Sequence, residues 1–204
     1  AQLISWLKNP EISPSHRRLD FTLLGVCGTE KDVPLLESMF HSNDRKLKAG
    51  LDAMIGSYLA IKGPSGLKLV EELYLNKKDA EFTDTYAAIQ AIRIAEETGI
   101  IAKDKAAESF HAMLDRPKMA DLVIPDLARW EDWESTDRLV KLFKESEDAG
   151  SFIRVPVMRF LMANPKPEAK AQLEELKKLD PEAFKRANLF FPGVPAKDPP
   201  AATN

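Results

Sequence analysis

Aspartates recur at positions 44, 79, 115, 148 and 180, each after an apolar helical stretch, at intervals of 35, 36, 33 and 32 residues. A second comb of helix breakers falls between them, at Gly28-Thr29, Gly63-Pro64, Gly99, Glu134-Ser135 and Asn164-Pro165, spaced 35, 36, 35 and 30. Two interleaved combs with a shared period near 35 specify stacked helical hairpins. A unit of that length holds two helices, and it can bury its apolar side only against a neighbouring unit.

Between the breaks, apolar residues recur in steps of three and four, and period-two alternation is nowhere sustained. The pairs read as Leu19–Val26 with Leu35–Phe40, Leu47–Leu59 with Leu67–Leu75, and Tyr86–Ile94 with Ala106–Leu114. Met119–Trp130 with Leu139–Phe143 and Phe152–Met162 with Leu173–Leu179 complete the series. The chain is therefore expected to be all-α. Leu36, Val70, Ala107, Val140 and Leu173 occupy matching positions in the second helices and should face the adjacent hairpin.

The break residues suit their places. Gly28, Gly63 and Gly99 are expected to close helices in the left-handed conformation. Pro64, Pro117 and Pro181 fit first turns, where a backbone N–H would lack a partner anyway. Thr29 with Asp32, and Ser135 or Thr136, supply oxygens for helix N-termini. The recurring aspartates read as turn and capping residues rather than ligands.

The ends extend the pattern. Asn9-Pro10 stands one period before Asp44, so residues 2–8 read as the tail of a hairpin cut short, in a chain expected to derive from a longer one. Pro181–Asn188 reads as a short capping helix, with Phe184, Leu189, Phe190 and Phe191 available to cover the last hairpin. One domain is expected over residues 1–191, followed by a disordered Pro- and Ala-rich tail over 192–204.

Charge narrows the partners. The net charge is −3, but residues 64–134 carry −6, whereas 1–63 carry +1 and 135–204 carry +2. An acidic middle argues against a phosphate-backbone groove, so nucleic acid is not the expected partner. No apolar run approaches the roughly 20 residues that cross a bilayer, so no membrane insertion is expected. Residues 1–6 carry no targeting signal, which leaves the compartment open between cytoplasmic and, given a leader before Ala1, extracytoplasmic. The lone Cys27 excludes an internal disulfide and reads as a buried thiol beside Leu23, Leu24 and Val26.

The arrangement over residues 15–180 resembles HEAT-like helical repeats of the ARM/HEAT superfamily. Beyond the period, Pro125 and Pro156 carry the resemblance, read as prolines inside first helices where such repeats tolerate a kink. The tetratricopeptide signature of a Trp, a Gly-Tyr pairing and a closing Pro does not recur as a set. The resemblance implies a right-handed α–α superhelix of about five stacked hairpins, with a truncated one at the N-terminus and a capping helix at the C-terminus. It also implies a curved surface that binds a protein partner.

Few residues suggest chemistry. Glu108 and His111 have the spacing of a di-metal carboxylate motif, but only one copy is present, and Glu37 with His41 lies two repeats away, so no metal or cofactor is expected. His16, Arg17 and Arg18 form a small basic cluster read as a solvated helix end. Trp130 and Trp133, three apart among Glu131, Asp132 and Glu134, would share a helix face and suit a basic or cationic peptide. Packing of both rings between repeats is the alternative, and Trp6 reads as core. Helical phase further places Lys68, Glu72, Lys105, Glu108, Lys141 and Lys144 on the face built from second helices.

The expected function is thus a monomeric, non-catalytic interaction scaffold that binds another protein or a basic peptide. A structural spacer within a larger protein is the second reading. A HEAT-like DNA glycosylase, with Arg17 and Arg18 in a DNA-binding groove, is the third.

Overall fold

The computed structural model describes residues 2–116, 118–146 and 152–189, and every regular element among them is helical. Contacts cluster in two compact units, residues 1–116 and 117–204. Pro117, Asp148, Phe190, Phe191 and the 192–204 tail lie outside the described residues.

The first unit begins with α1 (Gln2–Leu7), α2 (Pro14–Cys27), α3 (Val33–Phe40) and α4 (Leu51–Lys62). A 3-10 stretch, Gly63–Gly66, leads into α5 (Leu67–Val70), which widens into a π turn over Glu71–Leu75. α6 (Phe82–Glu97) and α7 (Lys103–Phe110) complete the unit, with a 3-10 turn over His111–Asp115. α4 packs along both α2 and α6, while α3 lies against α4 and α7 against α6. Gly25 and Gly28 permit the close approach of α2 to α4. A Cβ on Gly25 would stand 3.2 Å from the Ser57 Cα, and one on Gly28 only 2.9 Å from the Ile61 Cδ1. The Ser57 hydroxyl crosses the same seam to the Phe21 carbonyl. Phe40 takes Tyr58 and Tyr74 edge-on, at 5.3 and 6.1 Å, in a core shared with Leu36, Ile55, Val70 and Ile89.

The second unit contains α8 (Ile124–Arg129), α9 (Thr136–Glu145), α10 (Arg154–Ala163), α11 (Pro167–Leu179) and α12 (Pro181–Leu189). α10 is its centre and packs on α8, α9, α11 and α12. Leu127, Phe143, Met158, Phe160 and Leu176 are buried around it. Of the residues expected to face neighbouring hairpins, Leu36, Val70, Ala107 and Val140 are buried and Leu173 is half-buried.

Several local expectations hold. The Asp32 carboxylate accepts the Thr29 N–H at 2.9 Å in the expected capping box. Asp180 accepts the Ala183 N–H at 2.8 Å at the start of α12, and Asp44 accepts the Lys46 N–H at 2.8 Å in a turn. Gly63 and Gly99 take the positive φ that favours glycine, 60° and 74°, although the ψ of −151° at Gly63 lies outside the left-handed helical conformation.

Others are corrected. Gly28 is not left-handed, because its φ is −74°; glycine is required there because a Cβ would collide with the Leu24 carbonyl oxygen at the end of α2. Pro125 and Pro156 do not kink helix interiors. Both stand in first turns, of α8 and α10, where no i−4 carbonyl precedes the ring to clash with it. The Ser135 and Thr136 hydroxyls donate to the Asp132 carboxylate and the Trp133 carbonyl instead of capping α9. On α2 the buried stripe is Arg17, Asp20, Phe21 and Leu24, so Leu19, Leu23, Val26 and Cys27 are exposed, contrary to the expected apolar face and buried thiol. Trp6 is also exposed, set edge-on to His16 at 5.6 Å. α12 covers α10 through Ala183 and Ala187 with Phe184 half-buried, while Leu189 is exposed.

Candidate functional site

The segment after α8 decides where the two tryptophans go. α8 ends at Arg129, and the Trp130 N–H bonds to the Asp126 carbonyl at 2.7 Å. Glu131 then takes a left-handed φ of 59°, and Trp133 opens a new 3-10 turn, Trp133–Ser135. The rings therefore share no helix face. Trp130 is only 4% exposed, with the Arg129 guanidinium over its ring at 5.6 Å, while Trp133 is half-buried and meets Phe160 edge-on at 5.3 Å. An exposed Trp130–Trp133 pair is thus replaced by one buried ring and one accessible ring. Three-residue spacing could not reveal this, because it presumes a helix that the backbone reversal at Glu131 interrupts.

Trp133 lines a cavity of about 450 Å³ in the second unit. Glu134, Thr136 and Asp137 contribute from the start of α9, Asn164 and Lys166 from the α10–α11 turn, and Glu168, Ala169 and Gln172 from α11. Asn164 fastens these elements together. Its Nδ2 donates to the Thr136 Oγ1 at 3.0 Å, and its Oδ1 accepts the Lys166 N–H at 3.0 Å. Gln172 Nε2 donates to Asp137 Oδ1 at 2.9 Å, which leaves Gln172 Oε1 buried without a hydrogen-bond partner. The lining thus holds three carboxylates (Glu134, Asp137 and Glu168) and an amide carbonyl against one cation, Lys166, beside an indole. Such a lining is chemically suited to cations, because carboxylates and carbonyls accept hydrogen bonds and an indole face attracts ammonium and guanidinium groups.

The other expected residues lie apart from this cavity. Glu131 is exposed in the turn but is not in the lining. Lys68 and Glu72 stand 4.0 Å apart on the first unit, and Lys105 and Glu108 pair at 2.6 Å on α7, all exposed. On the second unit Lys141 pairs with Glu145 at 3.7 Å and Lys144 with Glu175 at 2.8 Å. These lysines and glutamates are exposed, and they neutralise one another in pairs. Arg17 leaves the proposed basic cluster altogether. It is fully buried and donates to the Leu7 and Asn9 carbonyls, and Arg18 pairs with Asp52. Among the described residues, no three His, Cys, Asp or Glu side chains come together as a metal ion would require.

Sequence reasoning named Trp133 and Glu134 but missed Asp137, Glu168 and Gln172. For Asp137 and Gln172 the one signal was periodic, since they stand 35 residues apart, close to the spacing of the breaks. Comparison with protein-family models, curated proteins and solved structures returned no match. No described helix is long and apolar enough to cross a membrane.

Proposed function

We propose that the chain is a non-catalytic, HEAT-like helical-repeat module that holds a basic peptide of another protein in the Trp133 cavity. The observation that carries this reading is the lining itself, an accessible indole among Glu134, Asp137, Glu168 and the unpartnered Gln172 carbonyl. A lysine or arginine side chain would supply the donors that this set of acceptors lacks. Packing of alternate helices supports a hairpin stack within each unit: α2, α4 and α6 in one, and α8, α10 and α12 in the other. The burial of Arg17 weakens the glycosylase alternative, since the expected DNA contact is committed to holding α1.

The test is a titration of a fluorescently labelled Lys/Arg-rich peptide, followed by anisotropy at several salt concentrations. Combining Glu134→Gln, Asp137→Asn and Glu168→Gln should weaken binding by about tenfold or more and flatten the salt dependence. Equal affinity in the wild type and the triple variant would refute the site. Absence of any saturable binding would favour the spacer reading.

A further inference from the structure

The first unit carries a second cavity, built from residues that the Trp133 groove does not use. The loop after α3, around residues 41–48, forms one wall, and the end of the π turn with residues 77–84 forms the other. Its volume of about 410 Å³ falls within the range of small-ligand sites. Tyr74 stands in the wall. It is 4% exposed, and its hydroxyl is buried with no hydrogen-bond partner. A phenol left in that condition is costly, and native proteins rarely keep one without a use.

Two further facts orient it. Burial, and after it the nearby carboxylate of Asp84, push the Tyr74 phenol well above the ordinary tyrosine range, so at neutral pH it is a proton donor. Asp84, whose charge contributes to that shift, lines the same cavity as Tyr74. The charges then divide unevenly. Arg45 is occupied, held between Glu81 and Asp84. Lys48 and Lys77 line the same space without an ion-pair partner among the described residues, and Asp79 is the one carboxylate there left unengaged. Ser42 accepts the Asp44 N–H through its oxygen at 3.1 Å and keeps its own proton to donate. Donors therefore exceed acceptors among the uncommitted groups.

We propose that this cavity binds a small oxyanion-bearing molecule, a phosphate ester or a carboxylate, whose oxygens accept from the Tyr74 phenol and pair with Lys48 and Lys77. Nothing in this proposal depends on the Trp133 groove. The ligand must be small, because the space is a fraction of what a folded partner needs. Its oxyanion end sits beside the phenol and the lysines, with Arg45 kept from competing by its two acids.

Calorimetric titration of the full chain with inorganic phosphate and, separately, citrate, at ionic strength held constant with sodium chloride, tests it. Saturable binding of phosphate alone assigns the phosphate source, and saturable binding of citrate extends the site to carboxylates. Tyr74→Phe deletes only a hydroxyl that has no partner in the free protein. It should leave the melting temperature unchanged or higher while weakening anion binding at least about tenfold. Lys48→Gln with Lys77→Gln, both accessible side chains, should remove saturable binding without altering the helical circular dichroism. The proposal is overturned if neither anion binds saturably, or if both sets of variants bind as the wild type does.

Discussion

Arg17 shows how far a single residue can depart from its sequence appearance. It sits between His16 and Arg18 near the start of α2, and such a run reads as solvated. The helix, however, buries the stripe at 17, 20, 21 and 24, which is as regular at helical spacing as the apolar set at 19, 23 and 26. Apolarity alone chooses the wrong stripe, because the residues that hold α1 in place are charged. Desolvation lowers the Arg17 pKa, while Asp44 and Asp20 act against it, and its guanidinium reaches the Leu7 and Asn9 carbonyls. Arg17→Ala would strand those acceptors and should cost about 2–3 kcal/mol in denaturant unfolding. Arg18→Ala, which breaks only an exposed pair with Asp52, should stay within about 1 kcal/mol of the wild type in the same measurement. The same phase error hid Cys27. An exposed thiol should react with a disulfide reagent in the native chain nearly as fast as in the denatured one. Protection until unfolding would restore the apolar-face reading of α2.

At the scale of elements, the sequence marked the starts of α3 and α12 and the glycine ends of α4 and α6, but not the ends that depend on distant partners. Starts can be encoded within three residues, as the Thr29–Asp32 box and Pro181 show, whereas Pro125, expected inside a helix, opens α8. Several ends instead borrow an arginine from elsewhere. Arg17 takes carbonyls after α1, Arg154 takes the Ser146 carbonyl after α9, and Arg116 takes those of Tyr74, Leu75 and Ala80 after the π turn, 36 to 42 residues back. A fixed, planar donor fork suits the divergent carbonyls that a helix C-terminus leaves unpaired. No local motif encodes such a distant partner. Arg154 also pairs with the buried Asp180 at 2.9 Å and covers the Phe143 ring at 5.2 Å, linking the start of α10 to the α11–α12 junction.

Burial raises the Asp180 carboxyl pKa, but the Ala183 N–H and the Arg154 guanidinium outweigh it and hold the group below the ordinary carboxylate range. A depressed folded-state pKa contributes stability that is present above the unfolded value near 3.8 and is lost as pH falls through the folded value. Asp180→Ala should therefore cost about 2–4 kcal/mol at neutral pH, with the difference from wild type shrinking below about pH 4. Thermal unfolding at a series of pH values checks this. A penalty that stayed constant down to strongly acid pH would mean that packing, and not the ion pair, is what Asp180 contributes.

For the whole molecule, the comb of breaks located nearly every described element yet gave no hint that contacts gather into two units. Period is a local property: Asp115 ends its helical stretch much as Asp79 does, and the sequence marks the two alike. What differs is the direction of Arg116. Its guanidinium turns back to the carbonyls of Tyr74, Leu75 and Ala80 and to the Thr85 hydroxyl at 3.3 Å, so the residue closes the first unit. A fragment comprising residues 1–116 should then fold alone, with helical circular dichroism and one cooperative thermal transition. Within that fragment Arg116→Ala should cost about 2–3 kcal/mol, because the part-buried Leu75 and Ala80 carbonyls lose its guanidinium, although the Tyr74 carbonyl keeps the Thr85 hydroxyl. Ending the fragment at residue 115 should reproduce that loss, whereas Lys78→Ala, an exposed change in the same region, should leave the transition where it was. A fragment that is unfolded with Arg116 present would show that the first unit draws its stability from beyond its own contacts.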